Sequence, residues 1–512
     1  MISEIFAVMN NIQNESHEEP DLYETRLAKL KDLLNSGINP YVNSFHRKHL
    51  SAELLAIKED QFSEEFIIAG RIRSKRIMGK AGFMDLEDET GRIQIYGASK
   101  ELSGENYEIF KHLDLGDIIG VRGTLFNTKT GQRTVRLNEF LLLAKCIRPL
   151  PVVKEAEGKV FDAFSDKEQR YRMRYVDMIV NSDVRENFII RSKIISEIRA
   201  FLTERGFLEV ETPMMHTIPG GAAAKPFQTH HNAMDMELYL RIAPELYLKR
   251  LLVGGMPKVF ELNRNFRNEG ISYKHNPEFT MLELYEAYGD MKSMMEICET
   301  MMHHLVMKIH KTDEIPYEDK SIKLAAPWAR LTYFGAIEKF TGVKFDPSMD
   351  LNTAKDHAKK IKVDKEVLNK CMTFWDVVET VFDEKVESEL VQPTFITEYP
   401  RSISPLAKSM PENPDFTERF EVFVAGREVA NAFSELNDPF DQKKRFEEQV
   451  RLRETGEGEG GYMDLDYIRA LEYGMPPAGG MGIGIDRIAM LLTNSHTIKD
   501  TILFPLMRPE EL

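Results

Sequence analysis

The sequence predicts an α+β protein, with a compact five-stranded β-domain near the N-terminus and a much larger region behind it that mixes helices with strands. Three observations predict this. At 512 residues the chain exceeds what one core organises, so two or three domains are expected. Between residues 62 and 146 apolar residues alternate in short runs broken by glycines and polar turns, which is the pattern of strands. Beyond residue 165 the period changes, and apolar positions 188, 190, 194, 195, 198, 201 and 202 hold one stripe of a long helix.

Taken in order, DLYETRLAKLKDLLNS (21–36) is an amphipathic helix stopped by Gly37, with Pro40 beyond, inside an N-terminal helical extension, 1–61. The strands EFIIAGRIRSKRI, GFMDLEDET, GRIQIYG, DIIGVRGTLF and RTVRLNEFLLLAK make a β-domain over 62–148, and a barrel of that size matches an OB-fold. Within it RIRSKRIMGK (71–80) concentrates five positive charges, and Phe83 and Gln94 follow on neighbouring strands. Cations beside an aromatic suit single-stranded bases; the same residues also suit an edge strand guarded against aggregation. Residues 149–165 read as a linker and 166–512 as the large domain. Its first helix, 183–205, closes at Gly206 and leads to the strand FLEVETP; further helices, read as insertions, fall near 291–310 and 351–390. The Met-rich EICETMMHHLVMKI reads as core packing.

Composition narrows the function. Hydrophobic residues are 42%, charged residues 29% and the net charge −15, ordinary for a soluble enzyme and unsuited to a whole-protein nucleic-acid coat. Cys146, Cys298 and Cys371 are isolated thiols without C-x-x-C spacing, which argues against zinc and for a reducing, cytoplasmic setting. The N-terminus lacks a basic n-region and reads as no signal peptide; no window of eighteen uninterrupted apolar residues predicts a membrane span.

Four stretches carry chemistry. In FRNEGISYKHNPEFTMLELYEAY (266–288) the residues after Pro277 read as a strand, placing Phe279, Met281, Glu283 and Tyr285 on one face behind a loop bearing Arg267, Glu269 and His275. In RFEVFVAGREVANAFSELNDP (419–439) Ala425-Gly426 closes a hairpin that sets Phe423 opposite Glu428, with Glu421 one diagonal step away. Two carboxylates that close repel unless solvated or sharing a cation, for which magnesium is suited. Asn431, Phe433 and Glu435 alternate on one face while Glu428 has the opposite parity, so a bend or bulge is needed for all four to meet. In PPAGGMGIGIDRIAMLLTN (476–494) clustered glycines before a helix at Asp486-Arg487 read as a possible nucleotide loop, without the P-loop spacing. Finally, IPGGAAAKPF (218–227) precedes YLRIAPELYLKRLL (239–252), whose Pro244 and Glu245 sit in a helix's first turn.

Together these stretches resemble one family. FRNEG…EFT is similar to the second signature motif of class II aminoacyl-tRNA synthetases, GGMGIGIDR to the third, and GFLEVETPMM, with Pro213, to the first. The OB-fold in front resembles the lysyl, aspartyl and asparaginyl subgroup. APELYLKRL, EFTMLELYEAY and ANAFSELNDP resemble its lysyl versions. The resemblance runs from about residue 60 to the C-terminus and implies a catalytic domain built on an antiparallel sheet flanked by helices.

The resemblance also implies roles. Arg267 would grip the α-phosphate of ATP and the lysine carboxylate, Phe279 would lie on the adenine, and Glu269, His275 and Asn276 would contact the nucleotide. Arg487, beside Gly484, would take the γ-phosphate, and Glu421 and Glu428 would hold Mg2+. Glu283, Tyr285 and Glu435 would surround the lysine ε-ammonium, Glu245 and Gly221 its α-amino end, with Asn431 and Phe433 lining the pocket. Phe83 and Gln94, with Arg73 and Glu139, would receive an anticodon base of lysine tRNA. The first-motif helix implies a homodimer. An aspartate or asparagine enzyme would need a cationic side chain where Glu283, Tyr285 and Glu435 stand. A protein-lysylating relative would lack the barrel, and a non-catalytic paralogue would have lost Arg267, Arg487 or the glutamate pair. The Ala-Gly turn and Ala432 depart from the Asn-Gly and glycine of many relatives, and touch no implied ligand.

Overall fold

The computed structural model describes residues 20–151, 154–156, 159–161, 164–455 and 461–510. The chain divides into two compact units, Met1–Ser165 and Asp166–Leu512.

In the first unit α1 (Pro20–Asn35) buries Leu27, Leu30 and Leu34 and ends at Gly37, whose φ of 76° frees the Ile38 amide to reach the Leu33 carbonyl. Five strands follow: β1 (Phe66–Met78), β2 (Ala81–Asp88), β3 (Gly91–Ala98), β4 (Ile118–Asn127) and β5 (Arg133–Ala144). They close into a barrel in the order β1-β2-β3-β5-β4, the OB arrangement expected. Alternation drives the closure: Ile68, Ile72, Met84, Leu86, Ile93, Ile95, Val121, Val135 and Leu137 all point inward and are buried. Within the expected linker, Lys154–Ala156 pairs antiparallel with Lys159–Phe161.

The second unit is built on eight strands: β6 (Leu208–Glu209), β7 (Lys258–Phe266), β8 (Glu278–Ala287), β9 (Ala329–Thr332), β10 (Thr394–Pro400), β11 (Phe416–Val424), β12 (Arg427–Ser434) and β13 (Ala478–Gly484). Their order is β9-β10-β11-β12-β13-β8-β7-β6, antiparallel except for the edge pairs β9–β10 and β7–β6. The strand expected over FLEVETP shrinks to the two residues of β6, and Thr212 beyond it turns its amide and hydroxyl to the Glu261 side chain instead of to a backbone carbonyl of β7.

Period two sorts this sheet. Phe260, Leu282, Leu284, Ile483, Ala430, Val422 and Phe420 face one way and are covered by three helices, α2 (Ser182–Glu204), α4 (Met291–Ile309) and α8 (Ile485–Leu492). Over 291–310, the methionines Met294, Met295, Met301 and Met302 of α4 seal the sheet core, where an unbranched thioether fills irregular gaps. The 351–390 segment forms three short helices, Leu351–Lys360, Lys365–Lys370 and α5 (Phe374–Lys385), which share a core with Tyr333, Ile396, Tyr399 and Phe423. Helix α3 (Glu245–Val253) and α7 (Leu465–Glu472) pack on the opposite face of the sheet, together with α6 (Pro439–Thr455). Pro244 serves as the N-cap of α3 instead of lying within its first turn, so Glu245 is the first helical residue.

Candidate active site

The sheet face opposite α2 and α4 opens onto a cavity of about 1240 Å³. Every residue implicated above in the second unit lies on its wall except Glu435. Phe279, Met281, Glu283 and Tyr285 project from β8 in the expected alternation, spanning about 20 Å at the rise of a strand. Asn431 and Phe433 join them from β12. The parity conflict is resolved by a β-bulge between the Val422 and Phe423 pairs, which leaves Phe423 opposite Glu428 and Glu421 opposite Asn431.

The glycine-rich run corrects one expectation. GGMGIG is the central strand β13, not a loop, and the helix starts at Ile485. Its glycines clear space: a Cβ on Gly480 would lie 1.9 Å from Glu435 Oε1 and 2.5 Å from Tyr285 Cε1, and one on Gly482 would lie 2.4 Å from Met281 Cε. Any side chain there would fill the cavity floor. Gly221, with φ of 87°, has Cβ space only 3.1 Å from Ala243 and Glu245, so a side chain would be both strained and crowded.

At one end, Arg267 stacks on Phe279 with its guanidinium 5.1 Å from the ring centroid. Its Nε is shielded and unpartnered, and burial draws its pKa below the usual arginine range. Arg487 donates to Glu428 Oε2 at 2.9 Å and to the Glu428 carbonyl at 2.6 Å. Asn276 donates to the Glu278 carbonyl at 2.6 Å, while His275 meets Ser272 Oγ at 3.0 Å and Glu269 is exposed. Glu421 accepts from the Tyr399 hydroxyl at 2.9 Å and from Arg419 at 2.6 Å. Burial raises its pKa to about 7, Arg419 opposes this, and Glu428 adds to it. At Glu428 burial also works upward, but Arg487 and then Arg267 and Arg419 outweigh it and hold the carboxyl below its ordinary value. Two hard oxygen donors on one wall, with burial and mutual repulsion opposing the ionisation of Glu421, are residues that would suit a magnesium ion.

At the other end three carboxylates converge. The Tyr285 hydroxyl donates to Glu283 Oε2 at 3.0 Å. Burial, then repulsion from Glu245, raises the Glu283 pKa to about 8. Glu435 is 1% exposed behind Tyr285 and Gly480, and burial raises it to about 8 as well. Lys249, fully buried, donates to Glu245 Oε1 at 2.6 Å and pairs with Glu435 Oε2. Lys249 and Arg419 escaped the sequence reading although a signal for each exists. Lys249 falls four residues after Glu245 on one helix face, and Arg419 two residues before Glu421 on one strand face. Arg419 also donates to Asn431 Oδ1 at 3.0 Å, joining the two ends.

In the barrel, Phe83 lies against Tyr96 with ring centroids 5.0 Å apart, Tyr96 against Phe126 at 5.8 Å, and Arg136 covers Phe126 at 4.8 Å. Gln94 shares this outer face, its Oε1 accepting from Thr134 at 2.9 Å. Arg73 occupies the bulge of β1 and pairs with Glu87 at 3.0 Å, while Glu139 faces Arg122 across β4 at 2.9 Å. Tyr96, Phe126 and Arg136 are the further members of this surface.

This architecture pairs a nucleic-acid barrel with a second unit whose cavity runs from paired arginines to an anionic pocket. The barrel matches the OB-fold nucleic acid binding domain over residues 66–143, and the second unit matches the class II tRNA synthetases (D, K and N) over 166–508. The chain is 54% identical to the lysine–tRNA ligase of Carboxydothermus hydrogenoformans, over 97% of this chain and 100% of that protein. It is 52% identical to that of Pelotomaculum thermopropionicum (98% of each) and 48% identical to that of Bacillus subtilis (97% and 99%). It has the build of an ATP-dependent aminoacyl-tRNA ligase. The chain belongs to the class II tRNA synthetases, among their lysine–tRNA ligases.

Proposed function

We propose that the cavity activates L-lysine with ATP and Mg2+ and then delivers the lysyl group to the 3′ end of lysine tRNA. The observation that carries this reading is the charge of the anionic end: Glu245, Glu283 and Glu435 converge, Lys249 is ion-paired with two of them, and Arg241, which acts on Glu283, is itself paired with Glu261. Buried carboxylates in that number call for a cationic guest, because unpaired charge in a dry pocket is costly. Glu283 and Tyr285 would hold its ε-ammonium, Glu245 and Gly221 its α-amino group, and Asn431 and Phe433 the chain between.

Arg267 would span the lysine carboxylate and the α-phosphate as a bidentate guanidinium, with the adenine on Phe279. Glu269, His275 and Asn276 would contact the nucleotide, and Arg487, at Gly484, the γ-phosphate. A lysine carboxylate oxygen attacks the α-phosphorus in line, the bond to pyrophosphate breaks, and lysyl-adenylate remains. The terminal ribose hydroxyl of the tRNA then attacks the acyl carbon and releases AMP. No side chain acts as nucleophile; positioning and fixed positive charge supply the catalysis. Bound between Glu421 and Glu428, magnesium would neutralise phosphate charge.

Phe83 and Gln94 would receive an anticodon base, with Arg73 and Glu139 beside them. The first-motif region favours a homodimer, since Tyr175, Ile189, Leu208 and Met215 are large apolar residues left exposed there. Among the described residues no helix is long and apolar enough to cross a membrane, which suits a cytoplasmic enzyme. The test compares the natural chain with Phe83→Ala, for which stacking is worth about 1–3 kcal/mol per base. Charging of lysine tRNA at limiting tRNA should fall about tenfold or more while lysine-dependent pyrophosphate exchange stays unchanged. Failure of the natural chain to charge lysine tRNA would refute the proposal.

A further inference from the structure

Lys249 has no assigned part in the reaction, yet it is the most enclosed cation near the amino-acid pocket. It lies on α3 one turn beyond Glu245, holds Glu245 and Glu435 together, and sits 5.3 Å from the centroid of the Phe433 ring. Tyr467 on α7 closes the same space from beneath, its hydroxyl buried without a hydrogen-bond partner. Buried ion pairs are poor sources of stability, and an apolar side chain of similar volume commonly serves a core as well or better. The charge at position 249 therefore asks for a functional reason.

Counting supplies one. Fully ionised, as they would be around a dication, Glu245, Glu283 and Glu435 carry three negative charges and Lys249 removes one, leaving two. Lysine brings two ammonium groups, and its carboxylate is met separately by Arg267. Without Lys249 the pocket would hold three charges against two. Glu435 would also be free to swing: it now sits behind the wall, with Oε2 on Lys249 and Oε1 buried beneath Gly480 and Tyr285.

We propose that Lys249 is a positioning residue for amino-acid recognition, pinning Glu245 and Glu435 from below and setting the pocket charge to match an amino acid that carries a second ammonium. The inference rests on the reading of this cavity as the lysine site. The burial that lifts Glu283 and Glu435 agrees with it, since the unliganded pocket already carries more negative charge than it can hold ionised. The other groups that act on these carboxylates and on Lys249 are Tyr285, Tyr467 and Arg241, and Arg250 acts in turn on Tyr467.

The experiment uses the full chain and compares it with Lys249→Met and Lys249→Arg. Two readouts are taken: lysine-dependent pyrophosphate exchange, and protons released on lysine binding, by calorimetry in buffers of different ionisation enthalpy. Lys249→Met should raise the KM for lysine about tenfold or more, with kcat and the KM for ATP within about twofold, and should release additional protons. Lys249→Arg should keep the natural proton count. A folded Lys249→Met with natural KM and proton count overturns the proposal, as does an equal loss in kcat and ATP binding. If Lys249→Met fails to fold, Lys249→Gln carries the same test, because it also removes the charge: the same rise in the KM for lysine with additional protons released is expected, and a natural KM and proton count overturns the proposal. Lack of lysine-dependent exchange in the natural chain would instead overturn the underlying assignment of the site.

Discussion

Gly480 is the residue on which the pocket depends most simply. Its Cβ position coincides with Glu435 Oε1 and presses on the Tyr285 ring, while its own backbone is extended, so alanine is excluded by space and not by conformation. Gly480→Ala should therefore fold, keep ATP binding, and lose lysine-dependent exchange by about a hundredfold, roughly 2.7 kcal/mol. Retention of natural lysine KM would show that the floor beneath β13 is not the lysine site. Titration gives a second expectation. Glu283 and Glu435, raised to about 8, hold protons in the free pocket at neutral pH, and an incoming ammonium must displace them. Lysine affinity should accordingly rise with pH between 6 and 8, up to about tenfold per unit for each proton released, and a flat profile would contradict this. The sign for stability is opposite. A carboxyl whose folded pKa exceeds its unfolded value stabilises the fold below about pH 4, and that contribution is lost as pH rises to about 8. Saturating lysine should offset the loss.

At the scale of elements, alternation made the site face legible before any coordinates: Phe279, Met281, Glu283 and Tyr285 stand where period two puts them. Even the bulge of β12 could be read, because Glu428 and Asn431 must meet across mismatched parity. What could not be read depends on tertiary neighbours. Gly479 to Gly484 look like a loop in isolation, and become a strand because β12 and β8 flank them with backbone partners. The Met-rich helix α4 reads locally as core packing, but which core it fills, the sheet face between α2 and α8, only the fold decides. Lys249 is one of two basic residues in YLKRLL, and only the fold seals it against Glu435. The hairpin at Ala425-Gly426 has both residues at positive φ, 54° and 70°, with the Ala425 and Gly426 amides tied to the Val391 and Leu390 carbonyls. Alanine in that conformation is disfavoured by about 1 kcal/mol. Ala425→Asn should raise unfolding stability by about 0.5–1 kcal/mol in urea titration without altering activity; destabilisation would mean the turn is held in another geometry.

At the scale of the molecule, two units divide the work. A closed barrel carries an aromatic and cationic outer face, and an eight-stranded sheet carries, on the face opposite α2, α4 and α8, a cavity with arginines at one end and carboxylates at the other. Neither half needs a reactive nucleophile, because the chemistry asked of the cavity is alignment of a carboxylate with a phosphorus under fixed positive charge. The central claim is that this cavity selects lysine and activates it with ATP and magnesium. It is tested most directly by amino-acid-dependent exchange of labelled pyrophosphate into ATP, across the twenty amino acids, with and without magnesium. Exchange for lysine that disappears without magnesium is the predicted result; exchange for no amino acid, in a folded protein, would contradict it.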